Sequence, residues 1–401
     1  MTGPLREVDH YSLLGRPPLF ADDMSRNEGE LDEAVAGARI LLVGGAGTIG
    51  RAVAREIFSR RPRTLHVVDL SENNLVELVR DLRSSLGYMT DDFRALPLDS
   101  ESAEFRAFLS SQPSYDWVLN LSALKHVRSE KDPYTLMRML QVNILNAYSL
   151  AEQASAAGSS KMFAVSTDKA ANPANMMGAS KRIMERQLTS EELALPVSFA
   201  RFANVMFSDG SLLHGFRERF LKRQPIAAPS GVTRYFMTSR ESGELCLLSC
   251  AFGENRDLFY PRASTGLRAI GFPELARAFL EGHGFEVAEC ETEEEARKSA
   301  LTLIARGRWP CYFFKSDTTG EKEIEEFVAP GDTPKPNRFR AVGVVSVGGS
   351  QDEEVLKMFR DQLDGIRQRG KWTKRELVEL VRRAVPEMSH EELNKSLDER
   401  M

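Results

Sequence analysis

Residues 38–50 read Ala-Arg-Ile-Leu-Leu-Val-Gly-Gly-Ala-Gly-Thr-Ile-Gly. A short apolar run gives way to Gly44, Gly47 and Gly50, spaced three apart, and a helix-forming stretch follows. Missing Cβ atoms at those positions permit a tight turn, close approach of a pyrophosphate and close packing of helix on strand. The helix start, at Thr48 and Ile49, offers unpaired N–H groups and the positive end of the helix dipole to phosphates. The next β-like run, TLHVVD, ends in Asp69, where an acid can take both ribose hydroxyls of an adenosine. That placement favours NAD, with NADP not excluded. Arg51 is the residue that could reach a 2′-phosphate, whereas Arg60, Arg61 and Arg63 read as helix C-terminal charges. Asp99 closes the third run, where it can meet the adenine.

Outward from this turn, β-rich runs recur at ARILLV, TLHVVD, DFRALPLD, DWVLNLS, KMFAVS and PVSFARF. Helical stretches at 48–60, 72–86, 101–111, 132–157 and 174–193 separate them. Strand–helix alternation of this kind builds right-handed βαβ units and a parallel sheet. The fold class expected is α/β: a Rossmann-type doubly wound parallel sheet, a smaller C-terminal substrate-binding lobe and a helical tail. The boundaries expected are an N-terminal arm at 1–37, a dinucleotide-binding domain at 38–205, a second lobe at 206–348 and a helical extension at 349–401. In the lobe, helices are expected at 211–223, 239–253 and 271–283, strands near 257–261, 285–289 and 342–347, and an exposed loop at GDTPKPNRFR. The tail shows an apolar face made of Val355, Met358, Phe359, Leu363, Ile366, Leu377, Leu380 and Val381.

The chain has 401 residues, 42% of them hydrophobic and 28% charged, with a net charge of −5. Such a composition is that of an ordinary globular protein and gives no general electrostatic hold on nucleic acid. Four cysteines make no disulfide framework. Cys246 and Cys250 read as packed core thiols in a helix, and no metal site is expected. The start shows no signal-peptide core, and no apolar run approaches the roughly 20 residues that span a bilayer. A cytoplasmic protein without membrane insertion is the expectation.

A second motif, Ser166-Thr167-Asp168-Lys169, lies at the end of the fifth run, where ligands sit in open α/β sheets. Met177 and Lys181 follow, four apart and so on one helix face. Many short-chain dehydrogenase-like enzymes have Tyr and Lys at that spacing. A thioether cannot serve as the base that a tyrosine would be.

These stretches, with YSLLGRPP, VVDLSENNL, SALKHVRSEKDPY, VNILNA, STDKAANPANMMGASKR, RFANV, TRYFMT and TTGEKEIEEF, run in order from residue 11 to 327. Together they resemble the nucleotide-sugar 4,6-dehydratases of the extended short-chain dehydrogenase group, found in bacterial polysaccharide biosynthesis. Many members of that family also have Met in the Tyr position. The resemblance implies a lyase that converts a nucleotide sugar, foremost UDP-N-acetylglucosamine, to its 4-keto-6-deoxy derivative. Oxidation at C4, loss of water across C5 and C6, and hydride return to C6 are its steps.

By resemblance, Thr167 bonds the 4-hydroxyl, Asp168 is the acid toward O6, and Lys169 is the base toward C5. Lys181 holds the nicotinamide ribose, and Asp168 or a water takes the proton that a tyrosine would take. Ser122 and Ala123 join Gly44, Gly47, Thr48, Ile49, Gly50, Asp69 and Asp99 at the cofactor. Lys125 and His126 lie near the sugar, and Asn143 bridges the sheet backbone near the site. Asn204, Arg234 and Glu321 serve the nucleotide diphosphate. A homo-oligomer is compatible with the fold.

The sequence departs from the family pattern at Val43, at Phe207 and Asp209 where Gly and Arg are usual, at His214, and at Thr318-Thr319. Two positive charges expected near a diphosphate are therefore missing. Two other readings stand beside the main one: a nucleotide-sugar 4-epimerase, and a non-catalytic NAD-binding scaffold.

Overall fold

A computed structural model describes residues 9–315, 326–348 and 353–389. Six parallel strands carry the first half: β1 (Arg39–Val43), β2 (Thr64–Asp69), β3 (Asp92–Pro97), β4 (Trp117–Asn120), β5 (Lys161–Thr167) and β6 (Val197–Phe202). They lie in the order β3-β2-β1-β4-β5-β6, and the strand Asp257–Pro261 adds in parallel beside β6. Two antiparallel strands, Val342–Ser346 and Thr333–Pro334, complete a nine-stranded sheet. Strand order reverses at β1, which pairs with β2 on one side and β4 on the other. Open α/β sheets bind ligands at the carboxyl ends of strands flanking such a reversal.

β1 is apolar on both faces because helices cover both. Ile40 and Leu42 pack with helices Ala21–Ala36, Thr48–Phe58, Glu72–Leu86 and Ser239–Phe252. Leu41 and Val43 pack on the opposite side with Ala103–Ser111, Asn146–Ala156 and the end of Met176–Leu188. Each side chain buried this way contributes roughly 1.5–3 kcal/mol, so no polar alternation survives in such a strand.

Beyond β6 the chain builds two small sheets. One joins Asn204–Val205, Thr233–Met237 and Ala269–Gly271. The other joins Glu286–Cys290, Arg308–Lys315 and Ile226–Ser230, all parallel. Phe216, Phe236, Phe279 and Trp309 fill their shared core.

Several expectations need correction. The N-terminal arm contains a 16-residue helix, Ala21–Ala36, whose buried Leu31 and Val35 belong to the main core. The single helix expected at 132–157 is two helices joined by a π-helical turn at Gln141–Leu145. Helix Glu293–Ala305 and strand Arg308–Lys315 arise where none was expected. The Pro-rich loop contributes the edge strand Thr333–Pro334.

The tail folds into two helices, Glu353–Gln368 and Lys374–Ala384. They bury Phe359, Leu363, Leu377, Leu380 and Val381 against helices Pro133–Leu140 and Met176–Leu188. Val355 and Met358, expected on that face, point to water. All four cysteines are free and buried. No helix among the described residues is long and apolar enough to cross a membrane.

Candidate active site

The glycine turn is shaped by contacts that exclude side chains. Gly44 has φ +78°, and a Cβ there would lie 2.6 Å from the Ser122 nitrogen in the turn after β4. A Cβ on Gly50 would lie 2.5 Å from the Gly44 carbonyl. Gly47 differs: a Cβ there would meet nothing nearer than the Gly44 oxygen at 3.8 Å. Packing therefore explains Gly44 and Gly50, whereas Gly47 faces open space at the helix N-terminus. Gly47 also caps helix Thr48–Phe58 without a side-chain hydrogen bond, which leaves first-turn N–H groups for an anion. This cradle fits a dinucleotide pyrophosphate.

Asp69 is held in place by two backbone donors, Ala46 N–H at 2.9 Å and Ser71 N–H at 3.0 Å. Asp99 accepts from the Glu101 N–H at 3.0 Å. Ser122 N–H donates to Asn120 Oδ1 at 3.1 Å, and Ala123 and Ile49 are half-buried beside the turn. Arg51, read as a candidate for a 2′-phosphate, instead pairs with Asp209 at 3.3 Å.

At the end of β5 the acid and the lysine meet. Asp168 is buried, and its Oδ1 accepts from Thr167 Oγ1 at 2.8 Å, from the Lys169 N–H at 2.9 Å and from Lys169 Nζ at 3.0 Å. Its Oδ2 is buried with no partner among the described residues. One carboxylate oxygen is thus saturated, and the other keeps unused acceptor capacity. Gly178 lets the following helix close on this turn, since a Cβ there would lie 2.4 Å from the Lys169 carbonyl. Asn175 caps the same helix through the Gly178 N–H at 2.8 Å.

Met177 sits in an apolar cluster with Leu140 and Ile144, and its N–H donates to the buried carboxylate of Glu130 at 2.9 Å. Lys181 Nζ donates to the Val165 carbonyl at 3.0 Å and lies 3.6 Å from Met184 Sδ. Burial pushes its pKa down to about 8, against the pull of Glu185.

Glu185 anchors an ionic network that the motifs did not reveal. It accepts from Ser166 Oγ at 2.6 Å and takes both Arg201 Nε (2.9 Å) and Nη2 (2.6 Å). Arg201 continues to Asp332 at 2.7 Å and to the Phe327 carbonyl at 2.7 Å. Arg182 bridges Glu185 and Asp332, and Arg186 reaches Glu387 at 2.6 Å. Its glutamate and aspartate hold Arg201 protonated despite complete burial. Such pairs add little net stability but fix one arrangement, here the end of β5 against the chain at 327–332. The only sequence signal was a set of charges four apart inside a helix otherwise read as catalytic.

Lys125 lies at the rim. It is exposed, yet surrounding protein lowers its pKa while Asp209 raises it. His126 packs over Gly210, where a Cβ would fall 2.8 Å from the ring. Their loop is fixed by buried Asn143, whose amide both accepts from the Leu124 N–H (2.9 Å) and donates to the Leu124 carbonyl (3.0 Å). The same amide donates to Ser180 Oγ at 2.9 Å, joining this loop to the Met177–Lys181 helix. Asn143 occupies the π-helical turn, a distortion frequent at functional sites.

Asn204 and Arg234 share one small sheet, in which Asn204 pairs with Phe236. Asn204 Nδ2 donates to the Tyr235 carbonyl at 3.3 Å, and buried Arg234 donates to the Thr233 carbonyl at 2.8 Å. His214 lies in helix Leu212–Leu221, with its N–H bonded to Ser211 Oγ at 3.1 Å. Glu321, Thr318 and Thr319 lie outside the described residues.

The leader LLGRPP has a structural role. Arg16 makes a two-pronged contact with buried Glu241 (2.6 and 2.9 Å) and donates to the Phe236 carbonyl at 3.0 Å.

A sequence profile of the polysaccharide biosynthesis protein family matches residues 40–299. The probable polysaccharide biosynthesis protein EpsC of Bacillus subtilis is 28% identical over 296 residues, covering 73% of this chain and 47% of EpsC. The chain spans about half the length of such curated relatives. Among solved structures, Pen from Bacillus thuringiensis superposes with a TM-score of 0.62 at 20% identity, over 82% of this chain and 99% of Pen. DesIV, a dTDP-glucose 4,6-dehydratase from Streptomyces venezuelae solved with NAD, superposes with a TM-score of 0.55 at 15% identity, over 73% and 88%. These likenesses show the fold.

Proposed function

The chain belongs to the polysaccharide biosynthesis protein family, and from that premise we propose that it is an NAD-dependent nucleotide-sugar 4,6-dehydratase acting on UDP-N-acetylglucosamine. Residues 38–205 bind the cofactor in this reading. Residues 206–348, with Asn204, take the nucleotide diphosphate through Arg234 and Glu321. The observation that carries the reading is the asymmetry of Asp168: Oδ1 is saturated by three donors, while Oδ2 is buried and unpartnered beside Lys169.

When bound, NAD supplies the acceptor for the C4 hydride and its donor to C6. The protein's own residues move the protons. To act as the base in this reading Lys169 must enter the step as its amine, with Asp168 as the carboxylate. The 4-hydroxyl proton passes to Thr167 Oγ1 as that hydroxyl hands its own proton to Asp168 across the 2.8 Å hydrogen bond. Met177 has no part in this step, because a thioether takes no proton. Asp168 then protonates O6 while Lys169 draws the C5 proton, which the 4-ketone has acidified, and water leaves. Lys169 returns its proton to C5 as C6 is reduced. Both groups are then back in their starting forms, and the 4-hydroxyl proton has left in the water. Positioned acid and base groups of this kind are worth about 10²–10⁴-fold each.

The test is incubation with UDP-N-acetylglucosamine in heavy water, followed by proton NMR and mass spectrometry. Loss of one water, a C6 methyl signal and deuterium at C5 are expected. Inversion at C4 with no loss of water would instead assign a 4-epimerase. No turnover with any nucleotide sugar, NAD being bound, would assign a scaffold.

A further inference from the structure

Asp209 stands where the family pattern has an arginine, and its partners lie on the cofactor side of the cleft. The Asp209 N–H donates to Thr48 Oγ1 at 3.0 Å, and Thr48 Oγ1 donates back to Asp209 Oδ2 at 2.9 Å. Arg51 Nη2 reaches the same carboxylate oxygen at 3.3 Å. Thr48 is the first residue of the helix that opens from the glycine turn.

The rest of the loop is held on the other side. Phe207 adopts a left-handed φ of +52° and stacks on His10, with ring centroids 4.9 Å apart. A non-glycine residue is strained in that region, so its surroundings must impose the conformation. Gly210, at φ +71°, lies beneath the His126 ring. The Ser211 N–H closes the turn on the Ser208 carbonyl at 2.8 Å. Residues 207–211 therefore form a strap from the leader and the Lys125-His126 loop to the glycine turn.

We propose that Asp209 is a positioning residue that latches this strap across the glycine turn and so slows the release of bound dinucleotide. The inference rests on the dinucleotide reading of that turn. A carboxylate at a helix start could instead mimic a phosphate and compete with it. Among the described residues, however, Asp209 takes its hydrogen bonds from the Thr48 hydroxyl and Arg51 and not from the main-chain N–H groups at 48–50. Those N–H groups stay available to a pyrophosphate, and Arg51 and Lys125 offset the charge of Asp209. A cofactor reduced and reoxidised within one turnover gains from slow exchange.

The experiment is a chase in which protein loaded with NADH is mixed with excess NAD and the loss of protein-bound NADH fluorescence is timed. Asp209→Ala and Thr48→Val should each speed release about 3- to 10-fold, the scale of one or two hydrogen bonds. The double variant should be no faster than the faster single one, and Thr48→Ser should match wild type. Unchanged or slower release in Asp209→Ala, or additive effects in the double variant, would overturn the latch. Failure of the wild-type protein to hold NADH would overturn the function proposed above together with it.

Discussion

Lys181 donates to the main-chain carbonyl of Val165 at 3.0 Å, two residues before Thr167. The helix thereby grips the strand end that carries the acid–base pair. The same burial brings the Lys181 pKa down to about 8 from 10.5. NADH affinity should fall as pH rises through about 8, because the ammonium proposed to bond the ribose becomes a neutral amine. Stability should respond in the opposite sense: between pH 8 and 10.5 the unfolded chain holds a proton that the folded one has lost, so this residue's contribution rises with pH. Fluorescence titration of Lys181→Met should show weak NADH binding, about 10-fold or more below wild type, with no inflection near pH 8.

Gly47 and Gly50 should behave differently when a methyl group is added. Gly50→Ala places Cβ 2.5 Å from a backbone oxygen, so it should fail to fold or lose several kcal/mol. Gly47→Ala meets no protein atom closer than 3.8 Å. It should keep its melting temperature yet bind NADH at least about 10-fold more weakly, since the methyl occupies the space in which a phosphate approaches the helix. Thermal unfolding and NADH titration of the two variants check this.

Asp168→Asn should lower turnover by about 10²–10⁴-fold, because an amide neither accepts the Thr167 proton nor protonates O6. Lys169→Met should abolish deuterium entry at C5. Single-turnover NMR in heavy water reads each step separately.

The parallel sheet was legible in sequence because buried strands write themselves as continuous apolar runs between helices, as in Arg39–Val43 and Lys161–Thr167. The juxtaposition of Thr167, Asp168 and Lys169 was legible because the three are consecutive. Arg201 and Asp332 were not: they lie 131 residues apart, and their 2.7 Å contact depends on two distant segments returning to one place. Helix Glu293–Ala305 escaped because its N-cap Thr292 is followed by three glutamates and its buried face is mostly small, Ala296 and Ala300 among them. The partners of Asp209 were likewise hidden, since Thr48 is 161 positions away.

Glu244 gives a stability prediction remote from the cleft. It lies buried in helix Ser239–Phe252, bonded through Oε1 to Arg240 at 2.8 Å, while its Oε2 has no partner among the described residues. Burial raises its pKa from 4.5 to about 7. The folded state holds the extra proton, so this contribution is present below pH 4.5 and is lost as pH climbs through 7. Glu244→Gln should be the more stable protein at pH 8, by up to about 3 kcal/mol, and close to wild type near pH 4.5. Urea unfolding at the two pH values measures the difference.

All 13 residues of helix Met176–Leu188 are buried, and the two C-terminal helices cover it, with the Ser389 N–H bonded to the Pro173 carbonyl at 3.0 Å just upstream. A helix enclosed on every side has no local route to solvent. Its amides can exchange hydrogen only when the C-terminal pair lifts away or the whole fold opens, so the slowest-exchanging backbone should include the helix that carries Lys181. Helices Glu353–Gln368 and Lys374–Ala384 complete the enclosure of a helix that lies about 170 positions before them, and without them that helix's apolar side would meet water.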